Sequence, residues 1–394
     1  MRALVWHGQR DVRVEKVPDP KLEEPTDIVV KVTSSGLCGS DLHLYEVLGP
    51  FLEPGDILGH EPMGIVEEVG KEVTHVAPGD RVVVPFNISC GSCFMCDRGL
   101  QSQCETTQNT DQQKGASLFG YTKLYGQVAG GQAEYLRVPQ GHYGPIKVPE
   151  GPSDDRFLFL SDVLPTAWQG VEYADVPDGG SVAIFGLGPI GQMAARIAKH
   201  RGYRVIGIDR VTERLELARN FGLEVLDLRD HDDGAVAAIR DLTEGRGADS
   251  TIDAVGMEAH GTPVLEAVQQ AAGKLPTRAA KKLMETAGID RLGALFASID
   301  AVRRGGTVSV SGVYGGMIDP MPMMTMFDKQ LTFRMGQANV KRWIDEILPL
   351  VTDDGDPLGV ESFTSHRVPL AEAPAAYEMF QKKTDGAFKV VFTP

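Results

Sequence analysis

The sequence lacks the features of a membrane, secreted or nucleic-acid-binding protein. No apolar run approaches the roughly 18 residues that a membrane-spanning helix requires. The N-terminal stretch MRALVWHGQRDVRVEK has no apolar core and no cleavage-site pattern, so it predicts no secretory signal. Basic residues are in the minority, with 39 Lys and Arg against 54 Asp and Glu, and the formal net charge is −15. We therefore expect a cytoplasmic protein that binds neither membranes nor nucleic acid.

Cysteine is also scarce, but its distribution is uneven. The 394 residues include five cysteines, and four of them, Cys90, Cys93, Cys96 and Cys104, lie in one short Gly-containing loop. Such spacing places four thiolates around one tetrahedral zinc ion, which is typical of a closed structural site. A metal-free thiol cluster and a redox-sensing zinc site are the alternatives.

Two regions that differ in composition and in the pattern of their apolar residues follow one another along the chain. The first 160 residues are rich in Gly, Pro and short apolar runs such as DIVVKV, which predicts an irregular, mostly β domain. From about residue 181, short buried strands such as SVAIF and YRVIGID alternate with helical segments. This alternation predicts an α/β fold with a doubly wound parallel sheet. The segment after residue 340 is predicted to return to the first domain.

Residues 261–290 are longer than a tight connection requires and have helical, basic character. Loops of this length are usually functional or disordered. Two interpretations stay open: a surface helical insertion, or a lid over cofactor or substrate.

A glycine-rich turn follows the strand SVAIF and opens a helix. In this G-x-G-x-x-G pattern the glycines allow a tight turn, close approach of a pyrophosphate and close helix packing. The helix N-terminus adds free N–H groups and a positive dipole end. The predicted dinucleotide contacts in this loop are Gly186, Gly188, Pro189, Ile190 and Gly191.

Asp209 ends the next predicted strand. A carboxylate there accepts hydrogen bonds from the adenosine ribose hydroxyls and repels a 2′-phosphate, which favours NAD over NADP. The neighbouring Arg210 weakens that preference.

Two further motifs are GLCGSDLH, with Cys38, and GHEPMG, with His60. Taken alone, Cys38 could be a small buried residue and His60 an ordinary core histidine. In the order GLCGSDLH, GHEPMGIVEEVG, four-cysteine lobe and GLGPIG, however, the motifs resemble the zinc-dependent medium-chain alcohol dehydrogenases.

The stretches FGYTKLYGQVAGGQAEYLRV, LSDVLPTAW and IDAVGMEAHG narrow the resemblance. They are similar to the branch containing bacterial glutathione-independent formaldehyde dehydrogenase and formaldehyde dismutase. The resemblance covers essentially the whole chain. It implies a GroES-like catalytic domain (1–165 and 336–394, with a zinc lobe at 86–106) and a Rossmann-type coenzyme domain (166–335).

The resemblance also implies a catalytic zinc ion. Its ligands would be Cys38, His60 and Asp162, the last replacing the cysteine that most members use. A helix cap or an ion-pair partner is the alternative role for Asp162. In the family, Glu61 can coordinate zinc when water or substrate shifts, and Asp41 accepts a hydrogen bond from the histidine ligand.

Further roles follow from the same resemblance. Ser40 would take the proton of a substrate hydroxyl, and His43 would pass it to solvent, unless His43 is an ordinary surface histidine. The nicotinamide end of the coenzyme would lie against Thr166, Val255, Gly312 and Val313. The implied cofactors are two zinc ions per chain and NAD.

The predicted function is hydride transfer between NAD and a small alcohol or a hydrated, formaldehyde-like aldehyde. A general alcohol or polyol dehydrogenase is one alternative, and a nucleotide- and zinc-binding regulatory protein without chemistry is another. The complete ligand set favours an enzyme. Family members form dimers or tetramers, so we expect a homodimer or homotetramer.

Overall fold

The computed structural model describes residues 1–231, 233, 235–256, 292–314 and 321–394. The chain divides into two compact units, the first formed by Met1–Pro165 with Ala338–Pro394 and the second by Thr166–Gln337. The segment 261–290 lies outside the described residues, so both interpretations of it stay predictions.

Strands dominate the first part of the described chain, and strands and helices both occur from Val163 onward. The strands are β1 (Arg2–Gly8), β2 (Asp11–Lys16), β3 (Ile28–Leu37), β4 (Glu61–Val69), β5 (Arg81–Val83), β6 (Gln108–Asn109), β7 (Lys114–Ala116), β8 (Tyr135–Val138), β9 (Ile146–Lys147), β10 (Ser181–Phe185), β11 (Arg204–Asp209), β12 (Glu224–Asp227), β13 (Ala248–Asp253), β14 (Val302–Val310), β15 (Thr332–Met335), β16 (His366–Pro369) and β17 (Val390–Thr393). The helices are α1 (Gly39–Glu46), α2 (Val163–Ala174), α3 (Pro189–His200), α4 (Thr212–Asn220), α5 (Val236–Leu242), α6 (Gly293–Ala301), α7 (Met323–Asp328), α8 (Val340–Thr352) and α9 (Ala373–Lys382).

The first unit is built around a sheet with strand order β16-β17-β3-β4-β5-β9, and β8 also pairs with β3. Its central pair, β3 and β4, is antiparallel and buries alternating aliphatic side chains, among them Ile28, Val30 and Val66. The register sets Gly36 opposite Glu61. The residues that follow β3 and precede β4 therefore meet at one end of the pair.

The second unit is a parallel sheet of order β12-β11-β10-β13-β14-β15. All five residues of the SVAIF strand, β10, are buried, as expected for a parallel strand covered on both faces. The pairings of Phe185 with Asp253 and of Asp253 with Val310 align the carboxyl ends of β10, β13 and β14. The predicted doubly wound α/β domain is confirmed, as is the mostly β character of the N-terminal region.

Among the described residues, no helix is both long enough and apolar enough to cross a bilayer.

Candidate active site

Three segments of the first unit bring the predicted ligands of a catalytic metal together. Cys38 lies between β3 and α1, His60 immediately precedes β4, and Asp162 lies between a 3-10 turn (Leu158–Ser161) and α2. The carbonyl of Ser161 accepts a hydrogen bond from the N–H of Phe86 at 3.0 Å, which ties the segment before Asp162 to the sheet.

The ligand atoms are close enough to surround one ion. The Asp162 Oδ2 atom lies 3.5 Å from both Cys38 Sγ and His60 Nε2. With a carboxylate oxygen of Glu61, these atoms all fall within 4.8 Å of one another. All four residues are buried. A sulfur, an imidazole and a carboxylate form a donor set that suits zinc, and three protein ligands are the number that catalytic zinc sites use.

Electrostatics support a cation at this point. Burial, with the Asp162 and Glu61 carboxylates, raises the pKa of the Cys38 thiol to about 11. Burial would lower the pKa of His60, but the carboxylates of Asp41 and Asp162 raise it well above its ordinary value. Clustered buried acids of this kind favour a positive charge among them, and a metal ion would convert Cys38 to the thiolate.

Asp41 and Ser40 contact the two ring nitrogens of His60. The Asp41 Oδ1 atom lies 3.1 Å from Nδ1, and Ser40 Oγ lies 3.1 Å from Nε2. Asp41 is itself held by the Cys38 N–H at 3.0 Å. This placement matches a carboxylate that fixes the histidine ring and leaves Nε2 for a metal. It also sets the Ser40 hydroxyl on the metal side of the ring.

The histidine support continues into the C-terminal segment. The Gln132 amide donates to Asp41 Oδ2 at 3.3 Å and accepts from the Tyr377 hydroxyl at 2.8 Å. Gln132, Tyr377 and Asp41 are fully buried. A continuous polar chain thus connects helix α9 to His60.

Glu61 is paired with a buried lysine. The Lys389 ammonium group donates to Glu61 Oε2 and, at 3.1 Å, to the Leu37 carbonyl. Neither charged side chain reaches solvent. Burial raises the pKa of Glu61, and the Lys389 charge opposes this rise. Lys389 therefore holds one carboxylate oxygen of Glu61 beside the ligand cluster.

His43 lies in α1 and is buried, so the alternative of an ordinary surface histidine is wrong. Its role as a proton carrier stays a prediction.

The four cysteines of the predicted structural site are likewise brought together. All four sulfurs lie within 4.8 Å of one another, and none of the cysteines forms a disulfide. The N–H of Cys90 donates to Cys104 Sγ and the N–H of Glu105 to Cys93 Sγ, each at 3.3 Å. Burial opposes ionisation of Cys90, but hydrogen bonds led by that of Thr106 lower its pKa to about 6. These four sulfurs fit a zinc ion with no coordination position left over.

The glycine loop of the second unit has the geometry of a dinucleotide turn. Gly186 has a φ of +86°, and Gly188 caps helix α3, which begins with Pro189 and Ile190. A Cβ on Gly191 would lie 1.8 Å from the Gly186 carbonyl oxygen, so only glycine fits there. The loop sets the N-terminus of α3 at the carboxyl end of β10, the edge of the sheet at which doubly wound folds bind phosphates.

Asp209 ends β11 beside this loop. Its Oδ2 accepts from the Leu187 N–H at 2.7 Å, and its Oδ1 accepts from the N–H groups of Arg210 and Val211. Arg214 lies 3.7 Å from the same carboxylate. The backbone bonds fix the carboxylate next to the glycine turn, where an adenosine ribose would lie. Arg210 is exposed.

The predicted nicotinamide contacts lie in the segments after β13 and β14 and in helix α2. Val255 follows β13, and Gly312 and Val313 follow β14. Thr166 lies in α2. Val313 is 49% exposed, which leaves its surface free for a ligand.

Sequence reasoning missed several residues that the structure places at these sites. They are Gln132, Tyr377, Lys389, Arg214 and Asp253. Lys389 had a detectable signal, because it is a single charge in the apolar run AFKVVF. Asp253 carries the same signal in STIDAVG. Tyr377 had none, since an aromatic residue on a C-terminal helix is usually core.

Comparisons with known proteins agree with this geometry. The model of the alcohol dehydrogenase GroES-like domain matches residues 24–150, and that of the zinc-binding dehydrogenase domain matches residues 189–285. The uncharacterized zinc-type alcohol dehydrogenase-like protein AdhB of Bacillus subtilis (strain 168) is 38% identical over all of both chains. Formaldehyde dismutase of Pseudomonas putida is 33% identical, over 99% of this chain and 97% of its own.

A solved structure gives the same result. Alcohol dehydrogenase TADH from Thermus sp. ATN1 superposes with a TM-score of 0.81 at 35% identity, covering 100% of this chain and 99% of its own. The chain therefore belongs to the zinc-dependent medium-chain alcohol dehydrogenase family, with a GroES-like domain and a Rossmann-type domain.

Proposed function

We propose that this protein is a zinc-dependent, NAD-linked dehydrogenase acting on small alcohols or hydrated aldehydes. The observation that carries the proposal is the buried convergence of Cys38, His60 and Asp162, within 4.8 Å of one another. A protein that only bound nucleotide and a structural metal would not need this second ligand set, nor Ser40 beside it.

The residues of the site have separate roles in this reaction. When bound, zinc supplies Lewis acidity that lowers the pKa of a substrate hydroxyl, and NAD accepts the hydride. Cys38, His60 and Asp162 hold the metal, while Asp41 orients the His60 ring. The Ser40 hydroxyl accepts the substrate proton, and the buried His43 carries it toward solvent.

Formaldehyde is the substrate that we favour. The sequence is 33% identical to a formaldehyde dismutase over nearly its whole length. In water formaldehyde is a gem-diol, and loss of hydride from its carbon gives formate by the same steps as alcohol oxidation. Asp162 replaces a soft thiolate with a harder oxygen ligand of equal formal charge, which favours a more Lewis-acidic zinc.

A substrate panel tests the proposal. Purified protein would be assayed for NADH formation at neutral pH with formaldehyde, ethanol, longer alcohols and polyols, and zinc per chain would be measured in parallel. We expect about two zinc ions and the highest kcat/KM with formaldehyde. The highest kcat/KM with a longer alcohol or a polyol would identify the general dehydrogenase instead. One zinc ion and no turnover would identify a binding protein.

The ligand exchange Asp162→Cys sharpens the substrate assignment. It restores the thiolate that most family members use. We expect it to retain two zinc ions and ethanol oxidation, while lowering kcat/KM for formaldehyde relative to ethanol. An unchanged ratio of kcat/KM for formaldehyde to kcat/KM for ethanol would show that Asp162 does not determine the preference for formaldehyde.

We also propose that the protein self-associates through the β15 edge of its parallel sheet. No described strand pairs with the outer edge of β15, and Met323, Met324 and Phe327 of α7 are largely exposed. A second copy related by a two-fold axis satisfies such an edge by pairing the same strand antiparallel. Light scattering of the protein and of Phe327→Glu tests this, since the variant should shift toward monomer.

A further inference from the structure

Asp253 joins two segments at the end of the parallel sheet. It is the last residue of β13 and is fully buried. Its Oδ1 accepts from the N–H groups of Val255 and Gly256 at 2.9 and 3.2 Å. Its Oδ2 accepts from the Tyr314 hydroxyl at 2.5 Å. One side chain therefore bonds both to the segment after β13 and to the segment after β14.

The Asp253 backbone repeats this connection. Its carbonyl oxygen accepts from the N–H groups of Ser311 and Gly312, each at 2.9 Å. The pair of segments, 254–256 and 311–314, is thus held to Asp253 by five hydrogen bonds from four main-chain N–H groups and one tyrosine.

The two segments are in direct backbone contact. A Cβ on Gly312 would lie 2.2 Å from the Gly256 nitrogen, and a Cβ on Gly256 would lie 2.6 Å from the Val313 nitrogen. The segment after β13 also reaches the dinucleotide turn, because a Cβ on Gly186 would lie 2.5 Å from Val255 Cγ2. A shift in either segment therefore displaces the other.

These segments end the central strands of the sheet, at the edge where doubly wound folds bind their ligands. They carry Val255, Gly312 and Val313. The Asp253 carboxylate is buried, and both of its oxygens are engaged by the two segments themselves. It is suited to fixing a binding surface rather than to forming part of it.

We propose that Asp253 and Tyr314 form a positioning pair that pre-arranges the surface for the nicotinamide end of the coenzyme; this rests on the proposed function. A surface whose backbone is already fixed loses less conformational freedom when the ligand binds, and it holds the ring in one orientation for hydride transfer. Asp253 acts through the segments and does not touch the reacting atoms.

Two measurements on the zinc-loaded protein test the pair. The first is hydrogen–deuterium exchange of peptides covering 253–256 and 311–314 without coenzyme. The second is NADH binding, followed by nicotinamide fluorescence. The variants are Asp253→Ala, Asp253→Asn, which keeps the shape and one acceptor oxygen, and Tyr314→Phe, which removes one hydroxyl.

Asp249→Asn is the matched control. Asp249 lies near the opposite end of β13 and accepts hydrogen bonds from Ser181 and Arg303. The Asp249→Asn substitution weakens side-chain hydrogen bonds on the same strand, but these bonds do not involve either segment. A general loss of stability would affect the control equally.

We expect Tyr314→Phe to speed exchange in both segments and to weaken NADH binding about tenfold, as for loss of a hydrogen bond to a buried carboxylate. Asp253→Ala should weaken binding further, with Asp253→Asn in between and Asp249→Asn unchanged. Coenzyme KM should rise more than kcat falls.

Exchange that stays at the wild-type rate in both segments of Tyr314→Phe and Asp253→Asn would overturn the pair. Faster exchange with unchanged NADH affinity would overturn its role in coenzyme binding. Failure of the wild-type protein to bind NADH would instead refute the proposed function, while the exchange data would still decide whether the pair fixes the segments.

Discussion

The two metal-ligand sets of this chain are built in opposite ways. The four cysteines lie in one short loop, and their sulfurs receive hydrogen bonds from neighbouring N–H groups of the same lobe. The Cys38 set joins distant segments, with Cys38 and Asp162 separated by 124 positions. A local set can close around an ion by itself, whereas the distributed set exists only when the sheet is folded. Loss of the first should affect stability, and loss of the second should affect chemistry.

Selective removal of one metal should reveal the largest difference between the two ligand sets. A site with three protein ligands leaves a coordination position that a small chelator can enter, whereas four cysteines leave none. We expect dipicolinate to abolish activity when about one zinc ion per chain has been lost, with the fold intact by circular dichroism. Added zinc should restore activity. Activity that persists until the second zinc ion leaves would contradict this assignment.

Cys38→Ser should lower kcat/KM by about 1000-fold, because the metal loses a thiolate ligand and its Lewis acidity is worth several kcal/mol. Zinc content should fall to about one per chain, and the melting temperature should change little. The measurement combines steady-state kinetics with metal analysis. A stable variant with two zinc ions and full activity would exclude Cys38 as a ligand.

Cys96→Ser is the counterpart in the other site. A structural metal contributes its binding energy to folding, so the free energy of unfolding should fall by about 4 kcal/mol. The fraction that remains folded should keep near-normal kcat. Denaturant unfolding and activity per folded molecule check this. A variant with wild-type stability but little activity would reverse the roles of the two sites.

Asp41→Asn tests the support of the distributed set. Substitution of a residue that orients a metal ligand costs about 10- to 100-fold in metal affinity or activity. We expect an effect in this range, with the fold retained. Gln9→Ala is a suitable control, because the Gln9 side chain donates to the carbonyl of Glu46, the last residue of the helix α1 that also carries Asp41. Equal losses in both variants would point to a general effect on α1.

The smallest expected effect concerns Asp154, which bonds to Thr33, Ser34 and Arg81. Burial alone would raise its pKa, but these bonds together lower it. A lowered folded-state pKa stabilises the protein above the unfolded-state value of about 4, and this contribution is lost as the pH falls through the folded-state pKa. Asp154→Asn should cost about 1 kcal/mol at pH 7. The difference from wild type should shrink as the pH falls through the folded-state pKa of Asp154.

Urea unfolding at several pH values measures this difference. A difference in the free energy of unfolding that stays constant as the pH falls until Asp154 is protonated would show that shape, not charge, determines the role of this residue.

The sequence predicted whatever depends on local pattern. The turn Gly186–Gly191 follows a fully apolar strand and opens a helix, and both elements have short-range signals. The spacing of the four cysteines is likewise sufficient to bring their sulfurs together. The placement of Asp162 beside Cys38 and His60 was expected only through resemblance, because no local rule connects residues so far apart.

The sequence could not predict the partners that segments distant along the chain contribute. Gln132, in the bend before β8, and Tyr377 of α9 support Asp41 from segments that meet only in the folded unit. Asp253 looks like the end of a strand until the structure shows that its five bonds reach two segments. Such roles depend on tertiary register, which is set by packing across the whole sheet.

The Glu61–Lys389 pair has a consequence for the order of assembly during synthesis. Cys90 and Cys104 emerge from the ribosome 14 residues apart, so the cysteine lobe can take its metal early. Lys389 is made 328 residues after Glu61. Until then Glu61 lacks the charge of Lys389, and β3 lacks its neighbour β17. Domains made first generally fold first, yet this candidate site has its Glu61 pairing completed only when the segment around Lys389 has been made.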